Sequence, residues 1–416
     1  MSSEIEIRTM LDAAQKFGTP LFLYSSDTIK TKARTLKNAF NYHPFLPLYA
    51  CKANFNPHII RILSNEGFGV DATSPGESQV ALYAGVSSQN IFLTGSNLSY
   101  DDLNWALKAN VTINLDSLSQ IETLGANFKD SITPSTRLWL RYNPDFGAGG
   151  FDKITTAGPE SKFGIRDEEF GEALNIAKKY NLPIKGLHTH IGSMLFDDSP
   201  IIAAFEKLLN WAERINTVEE VDAGGGIGVS YDEKHEEFPL NRFAKWLSTM
   251  LDSFATKTKR RLKLIVECGR FLVADAGVFL CKVTAVKKTK RRTLVGTDTG
   301  FSHFIRPALY NARHRAQNIS AICSGRTEEI LCSIVGNICE STDVLASDVI
   351  LRKPEIGDII AFHTAGAYCF SMASTYNGRP LPPEVILENN SFHLIRQRGD
   401  FNSLIAGVPP LEKIFS

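Results

Sequence analysis

The chain has 416 residues, and its 45 lysines and arginines are balanced by 45 aspartates and glutamates, so the formal net charge is zero. That balance excludes wholesale nucleic-acid binding, which needs many uncompensated cations, and no apolar run reaches the ~18 residues that a membrane span requires. Apolar residues at 43% and charged residues at 22% describe a globular chain rather than a disordered one.

The opening stretch, MSSEIEIRTMLDAAQ, carries acids early and has no apolar core, so it does not read as a secretory signal. The seven cysteines are odd in number, scattered and without a CxxC, which predicts free thiols in a reducing cytoplasm. LFLYS (21–25) predicts one strand within an N-terminal segment, 1–30. Eight further β-like runs follow: LPLYACK (46–52), FGVDA (68–72), NIFLTG (90–95), VTINLD (111–116), RLWLRYN (137–143), IKGLHTH (184–190), VEEVDAG (218–224) and LKLIVEC (262–268). Amphipathic segments such as PGESQVALYAGV and DEEFGEALNIAKKY separate most of them, and Pro57 and Pro75 suit first-turn positions of helices. Eight strands with intervening helices predict an α/β fold, a TIM-type (β/α)8 barrel over 31–277, in preference to a doubly wound open sheet.

From 278 to 416 the pattern changes to β-rich runs with few helices, VFLCKVTAVKK, RRTLVGTDTG, EEILCSIVGN and GDIIAFHTAGAY. A second, mostly-β domain is expected there, which the N-terminal strand joins. The basic runs KTKRRLK (257–263) and KKTKRR (287–292) each flank an apolar strand and read as solvated turns or helix ends. The glycine- and threonine-rich stretch GAGGFDKITTAG (147–158) is a candidate lid.

In such a barrel the chemistry gathers where the strands end. Here the strands close on Lys52, on Asp71, on Arg141-Tyr142-Asn143, on His188 and His190 with Ser193 after them, on Gly224-Gly225-Gly226, and on Glu267 with Arg270 beyond. A glycine triplet bares backbone N–H groups to an anion, and phosphate sites in these barrels form after strands seven and eight. Arg270 and the Ser193 hydroxyl suit the same anion, Glu267 suits the nitrogen of a pyridine, His190 can stack on a flat ring, and Lys52 can carry an aldehyde cofactor as a Schiff base. Pyridoxal 5′-phosphate asks for each of these contacts. Taken singly they are weak: a lysine ending a strand more often snorkels or pairs, and a glycine triplet also marks a plain tight turn. His188 and His190 share a strand face and could ligate a metal, but no third ligand is evident at a suitable spacing, so no metal is expected.

The motifs themselves are similar to a known family. YACKAN around Lys52, HTHIGS (188–193), DAGGGIGV (222–229) and ECGRFLVADAG (267–277) resemble the fold-type III pyridoxal-phosphate-dependent decarboxylases. SKFGI (161–165), FIRPALY (304–310), GNICESTD (336–343) and TAGAYCFSMASTYNGRPLPPEVI (364–386) resemble the branch of that family acting on diaminopimelate. The resemblance runs from about 15 to 410 with the motifs in order. It implies Lys52 as the Schiff-base lysine, His190 against the ring, and Glu267 on the pyridinium nitrogen. It further implies Ser193, Gly224, Gly225, Gly226, Arg270 and Tyr368 around the phosphate, with Asp71 also in the cofactor site. Cys339 would be the acid that protonates after CO2 leaves, and Glu340 would hold the distal amine. Arg270, Arg306 and Tyr310 would hold the distal carboxylate, with Tyr368 beside the substrate. The resemblance also implies a head-to-tail homodimer in which Cys339 and Glu340 come from the partner.

Two departures stand out: Cys268 replaces the family's usual proline after Glu267, and Ser302-His303 replaces a common Asn-Asp. The first loosens a turn, and the second touches substrate positioning rather than the cofactor. Two arginines suit a carboxylate, which guanidinium binds bidentately, whereas a substrate ending only in ammonium would call for acids. The expected reaction is therefore decarboxylation of meso-2,6-diaminopimelate to L-lysine. Decarboxylases of the same fold acting on other amino acids, a related racemase and a regulatory homologue are the rivals. The racemase asks for arginine in place of Glu267, and the regulatory homologue asks for loss of Lys52 or Cys339.

Overall fold

The computed structural model describes residues 5–149, 156–231 and 236–410. The chain divides into two compact units, one running Ile29–Val273 and the other built from the segments on either side, up to Thr28 and from Ala274 onward. Among the described residues no helix is long and apolar enough to cross a membrane.

Strand β1 (Leu21–Ser25) belongs to the second unit. The first unit holds β2 (Phe45–Ala50), β3 (Gly69–Ala72), β4 (Ile91–Leu93), β5 (Thr112–Leu115), β6 (Leu138–Asn143), a two-residue β7 (Ile165–Arg166) beside β6, β8 (Ile184–Thr189), β9 (Glu220–Asp222) and β10 (Lys263–Cys268). All pair in parallel in the order β5-β4-β3-β2-β10-β9-β8-β6, and pairing of β5 with β6 closes the ring. Each of the eight expected runs is one stave of this barrel. The staves are apolar on both faces because helices cover the outside while Leu48, Phe92, Trp139 and Ile265 fill the inside. Gly186 is part of that filling, since a Cβ there would collide with the Trp139 indole.

The covering helices start where the sequence signals. Asn56 caps Pro57–Asn65 by accepting the His58 N–H at 3.0 Å, and Ser74 caps Pro75–Tyr83 by accepting that of Glu77 at 3.2 Å. The run 257–263 lies at and beyond the end of the helix Leu240–Thr258, where Lys257 pairs with Glu213, Lys263 with Glu220, and Arg260 donates to the Ala212 and Ile215 carbonyls. Its charge is spent on the barrel wall.

In the second unit β11 (Gly277–Lys288), β12 (Thr293–Thr297), β13 (Ala316–Asn318), β14 (Glu329–Val335), β15 (Val344–Arg352), β16 (Ile359–Phe362), β17 (Glu384–Glu388) and β18 (Ser391–Arg396) join β1 in one sheet. Its main order is β15-β14-β12-β11-β1-β17-β18, with β16 between β11 and β13. The N-terminal strand is thus interior to the sheet, antiparallel to β11 and parallel to β17. Its core gathers Met10, Leu21, Leu23, Val278, Leu280 and Val385. The run 287–292 covers the exposed last two residues of β11 and the turn 289–292 that leads into β12.

Candidate active site

The barrel staves end in charge. Lys52 lies two residues past β2, in the single 3-10 turn Cys51–Ala53, and its Nζ donates to Asp71 Oδ2 at 2.9 Å. Arg141 on β6 is in register with His188 on β8, and His188 with Asp222 on β9. Glu267 on β10 completes the ring, its Oε1 3.4 Å from His188 Nε2. Asp71, Arg141, His188, Asp222 and Glu267 are all buried.

Burial sets the protonation of this cluster. It raises Asp71, with the Glu267 charge adding to the shift while Lys52 opposes it. It raises Asp222 well above the carboxylate range, helped by the Glu267 charge, and it raises Glu267 against the pull of Lys52 and Arg141. Burial, then the Arg141 cation, pushes His188 well below its ordinary value; for His190 the order is burial, then Lys52. The interior therefore holds neutral imidazoles and carboxyls that give up protons reluctantly.

The two turns expected to hold an anion are zipped together. Leu195 N–H donates to Gly226 O at 2.9 Å, Gly228 N–H to Leu195 O at 2.7 Å, and a Cβ on Gly226 would meet Gly192 O at 2.5 Å. Gly224 and Gly226 have φ of +70° and +108°, and a Cβ on Gly225 would collide with the Glu267 carbonyl. Side chains are thus shut out of this turn for two separate reasons. The N–H groups differ from the expectation of a bare triplet. Gly224 N–H is taken by Asp222 Oδ1 at 2.7 Å and Gly225 N–H by His190 Nδ1 at 3.1 Å. The second bond makes His190 Nδ1 an acceptor and fixes its ring over the turn. Ser193 is half-buried on the same loop, and Arg270, opening the short helix Arg270–Val273, donates to Tyr231 Oη at 2.7 Å. Of the lid candidate 147–158, residues 150–155 lie outside the described residues; Ala148 and Thr156 N–H groups on either side both reach Ile191 O, at 3.1 and 3.2 Å.

Polar atoms buried without a hydrogen-bond partner concentrate here: Asp71 Oδ1, both His188 ring nitrogens, Asp222 Oδ2 and Glu267 Oε1. Orphaned atoms at such density mark a place built for a polar guest. His188, Asp222 and Glu267 bring donor atoms within 4.8 Å of one another, which is a metal's donor set by type. His190, the other histidine of that strand face, turns instead to the glycine turn. An aromatic nitrogen heterocycle with an aldehyde and a phosphate fits the full set better, for it uses Lys52, an orphaned carboxyl and the anion turn together.

The remaining expected residues lie in the second unit. Cys339 and Glu340 are exposed on the loop between β14 and β15. Cys339 N–H donates to Asn377 Oδ1 at 2.9 Å, and Glu340 Oε1 accepts from Tyr376 Oη at 2.7 Å. Beneath them Asp343 accepts the N–H groups of Phe301 at 2.6 Å and Ile338 at 2.7 Å, in space that Gly300 and Gly336 leave free. An open cavity of about 490 Å³ is lined by Ile338, Cys339, Asn377, Gly378 and Arg379. Arg306 is buried, with Nη1 2.7 Å from His314 Nε2, and Tyr310 is half-buried at the far end of the same one-turn helix, Arg306–Tyr310. Tyr368 is half-buried in a left-handed backbone conformation, φ +58°.

The two departures also find places. Cys268 is a buried thiol ending β10, in register with Tyr49. His303 is buried with Nδ1 3.0 Å from Thr299 Oγ1, and burial pushes its pKa down to about 4. Arg141, Asp222, Asn377, Asp343 and His314 are the residues of this arrangement to which sequence reading gave no role. For Arg141 a signal existed, a cation closing an otherwise apolar strand.

Comparison with known proteins gives the context. Residues 26–274 match the family described as pyridoxal-dependent decarboxylase, pyridoxal binding domain. The diaminopimelate decarboxylase of Methanothermobacter thermautotrophicus is 36% identical over 405 residues, covering 95% of this chain and 93% of that protein. The structure of Helicobacter pylori diaminopimelate decarboxylase complexed with L-lysine superposes with a TM-score of 0.89 at 34% identity, covering 98% of this chain and 100% of that one. The Methanocaldococcus jannaschii diaminopimelate decarboxylase, also with L-lysine, gives 0.88 at 32%, covering 97% and 95%.

Proposed function

The chain belongs to the family of pyridoxal-dependent decarboxylases, and on that premise we propose that it converts meso-2,6-diaminopimelate to L-lysine and CO2, the closing step of lysine biosynthesis from diaminopimelate. The observation that carries the reading is the ring of buried charge at the barrel mouth, where Lys52 pairs with Asp71 beside a Glu267 carboxyl that has an orphaned oxygen. Seven free thiols suit a reducing cytoplasm.

Pyridoxal 5′-phosphate supplies an electron sink for the pair released when the Cα–carboxylate bond breaks. Lys52 would hold its aldehyde carbon through Nζ, and Asp71 stabilises the lysine cation until then. Glu267 would keep a proton at the pyridine nitrogen. Asp222, pressed against Glu267, favours a single shared charge on the two acids. His190, fixed by the Gly225 N–H, would lie flat on the ring. Ser193, Arg270, Tyr368 and the turn of Gly224, Gly225 and Gly226 would receive the phosphate, the turn through the Gly226 N–H, since those of Gly224 and Gly225 are committed to Asp222 and His190.

Arg306, Arg270 and Tyr310 would grip the distal carboxylate and Glu340 the distal ammonium. A grip on the far end would fix the orientation of the substrate, which breaking its Cα–carboxylate bond requires. Cys339 Sγ would give the proton that takes the place of CO2. Cys339 stands exposed on the wall of an open cavity, with Glu340 exposed next to it in the chain. That suits a two-fold dimer in which each copy lends these residues to the barrel of the other.

The test is CO2 release from the purified, cofactor-loaded protein given meso-diaminopimelate, with D-lysine, D-ornithine, L-ornithine, L-arginine and carboxynorspermidine alongside. Turnover confined to diaminopimelate is expected. Turnover of another member instead would overturn the reading of Arg306 and Tyr310 while leaving the cofactor site intact.

A further inference from the structure

We propose that His314 is a positioning residue for substrate recognition, orienting the Arg306 guanidinium toward the distal carboxylate; this rests on the role given to Arg306 above. The two side chains meet through Nη1 and Nε2 at 2.7 Å, and both are buried, 3% and 5% exposed. A guanidinium only donates, so Nε2 accepts, the imidazole is neutral, and its proton sits on Nδ1. That proton points at His363 O, 2.9 Å away.

The histidine is itself held from three sides. His363 N–H donates to Arg315 O at 2.9 Å where β13 meets β16, and His363 Nε2 lies 2.8 Å from Gln317 Oε1. The His314 ring packs on Phe304 with centroids 4.7 Å apart, and Phe304 in turn lies 5.1 Å from both Phe279 and Phe362. Eight residues after Arg306, past one helical turn and Asn311 at φ +52°, the chain brings a rigid ring back to the guanidinium.

The choice of a neutral acceptor has a chemical consequence. A carboxylate at this position would orient the planar fork equally well but would cancel its charge. An imidazole fixes the fork without setting a negative charge against it. A freely rotating arginine would meet the distal carboxylate in many geometries, few of them bidentate.

L-Lysine and cadaverine test this directly, because cadaverine is lysine without its carboxylate. The holoenzyme, His314→Phe, His314→Gln and Arg306→Ala are compared for inhibition by each amine and for KM and kcat with diaminopimelate. His314→Phe keeps a ring but loses the acceptor. It is expected to raise KM and the L-lysine inhibition constant about tenfold or more, with kcat within about threefold and cadaverine inhibition unchanged. His314→Gln restores a neutral acceptor and should recover most of the discrimination. If the phenylalanine variant does not fold, His314→Met carries the same comparison.

Equal loss of lysine and cadaverine binding in His314→Phe would make the histidine merely structural and overturn the proposal, as would a glutamine variant no better than phenylalanine. Discrimination kept in His314→Phe but lost in Arg306→Ala would also overturn it, leaving the role of Arg306 standing. Discrimination kept in Arg306→Ala would overturn the role of Arg306 itself.

Discussion

Asn377 Oδ1 accepts the backbone N–H of Cys339 at 2.9 Å, and Asn377 does so from a left-handed conformation, φ +58°. The neighbouring Tyr376 reaches Glu340 at 2.7 Å, so two consecutive residues of one turn hold two consecutive residues of the loop proposed to carry the proton donor. Asparagine is among the few residues that take this conformation at little cost. Asn377→Ala should therefore lower kcat about tenfold or more while cofactor absorbance and the KM for diaminopimelate change little. Asn377→Gly relieves the backbone but not the lost acceptor, and should recover stability without recovering kcat. Recovery of both in the glycine variant would reduce Asn377 to a turn former.

Lys52→Ala should remove the visible absorbance of bound cofactor and all measurable turnover, with circular dichroism unchanged. The same change leaves Asp71 buried without its cation, so the apoprotein should lose about 1–3 kcal/mol in urea unfolding at pH 8. Retained turnover would exclude Lys52 as the lysine that holds the cofactor.

Cys339→Ala should load cofactor normally yet turn over about a hundredfold more slowly. Mixed with inactive Lys52→Ala protein under conditions of subunit exchange, it should regain activity. Random pairing places one intact site in half of the dimers, so recovery should approach about a quarter of the wild-type rate. A mixture no more active than its parents would mean that each site is built from a single chain.

Asp222 offers a prediction for the apoprotein. A carboxyl held above its unfolded pKa binds its proton more tightly when folded. Its stabilising contribution is present below the ordinary carboxyl pKa of about 4 and is lost as pH rises through the raised value. Asp222 is raised by burial and by Glu267, and its Oδ1 accepts the Gly224 N–H, a bond that the oxygen of a neutral side-chain amide can also accept. Asp222→Asn should therefore gain Tm relative to wild type at pH 8 but not at pH 4, by about 2–4 °C per kcal/mol relieved. A difference that does not vary with pH would mean that the acid is not strained by ionisation.

The barrel was legible in the sequence because each stave is a short apolar run ended by a polar residue, and Lys52, Asp71, His190 and Glu267 are found at those ends. The glycine turn was legible as a tight turn by composition alone. That two of its N–H groups are committed to Asp222 and His190 depends on how neighbouring staves are staggered, which no single run encodes. Arg141 was visible as a strand-ending cation, but only the register that sets it beside His188 turns it inward. His314 was not legible at all. Its partner is reached through a helical turn and a reversal at Asn311, and a histidine in such a loop has no periodic signal. Asn377 shares that fate, for an asparagine in a turn announces a positive φ and not what its side chain will accept.

Strands β1 and β11 are adjacent and antiparallel, with Tyr24 opposite Gly277. They form a hairpin whose loop is the entire barrel. Because Ile29–Val273 is one unbroken stretch, it can complete its fold while the rest of the chain is still being made. The sheet cannot. Its interior strand is made first, its neighbour β11 only after the barrel, and β17 close to the end. β1 is therefore made before both of the strands that flank it, and its backbone pairing has to wait for them.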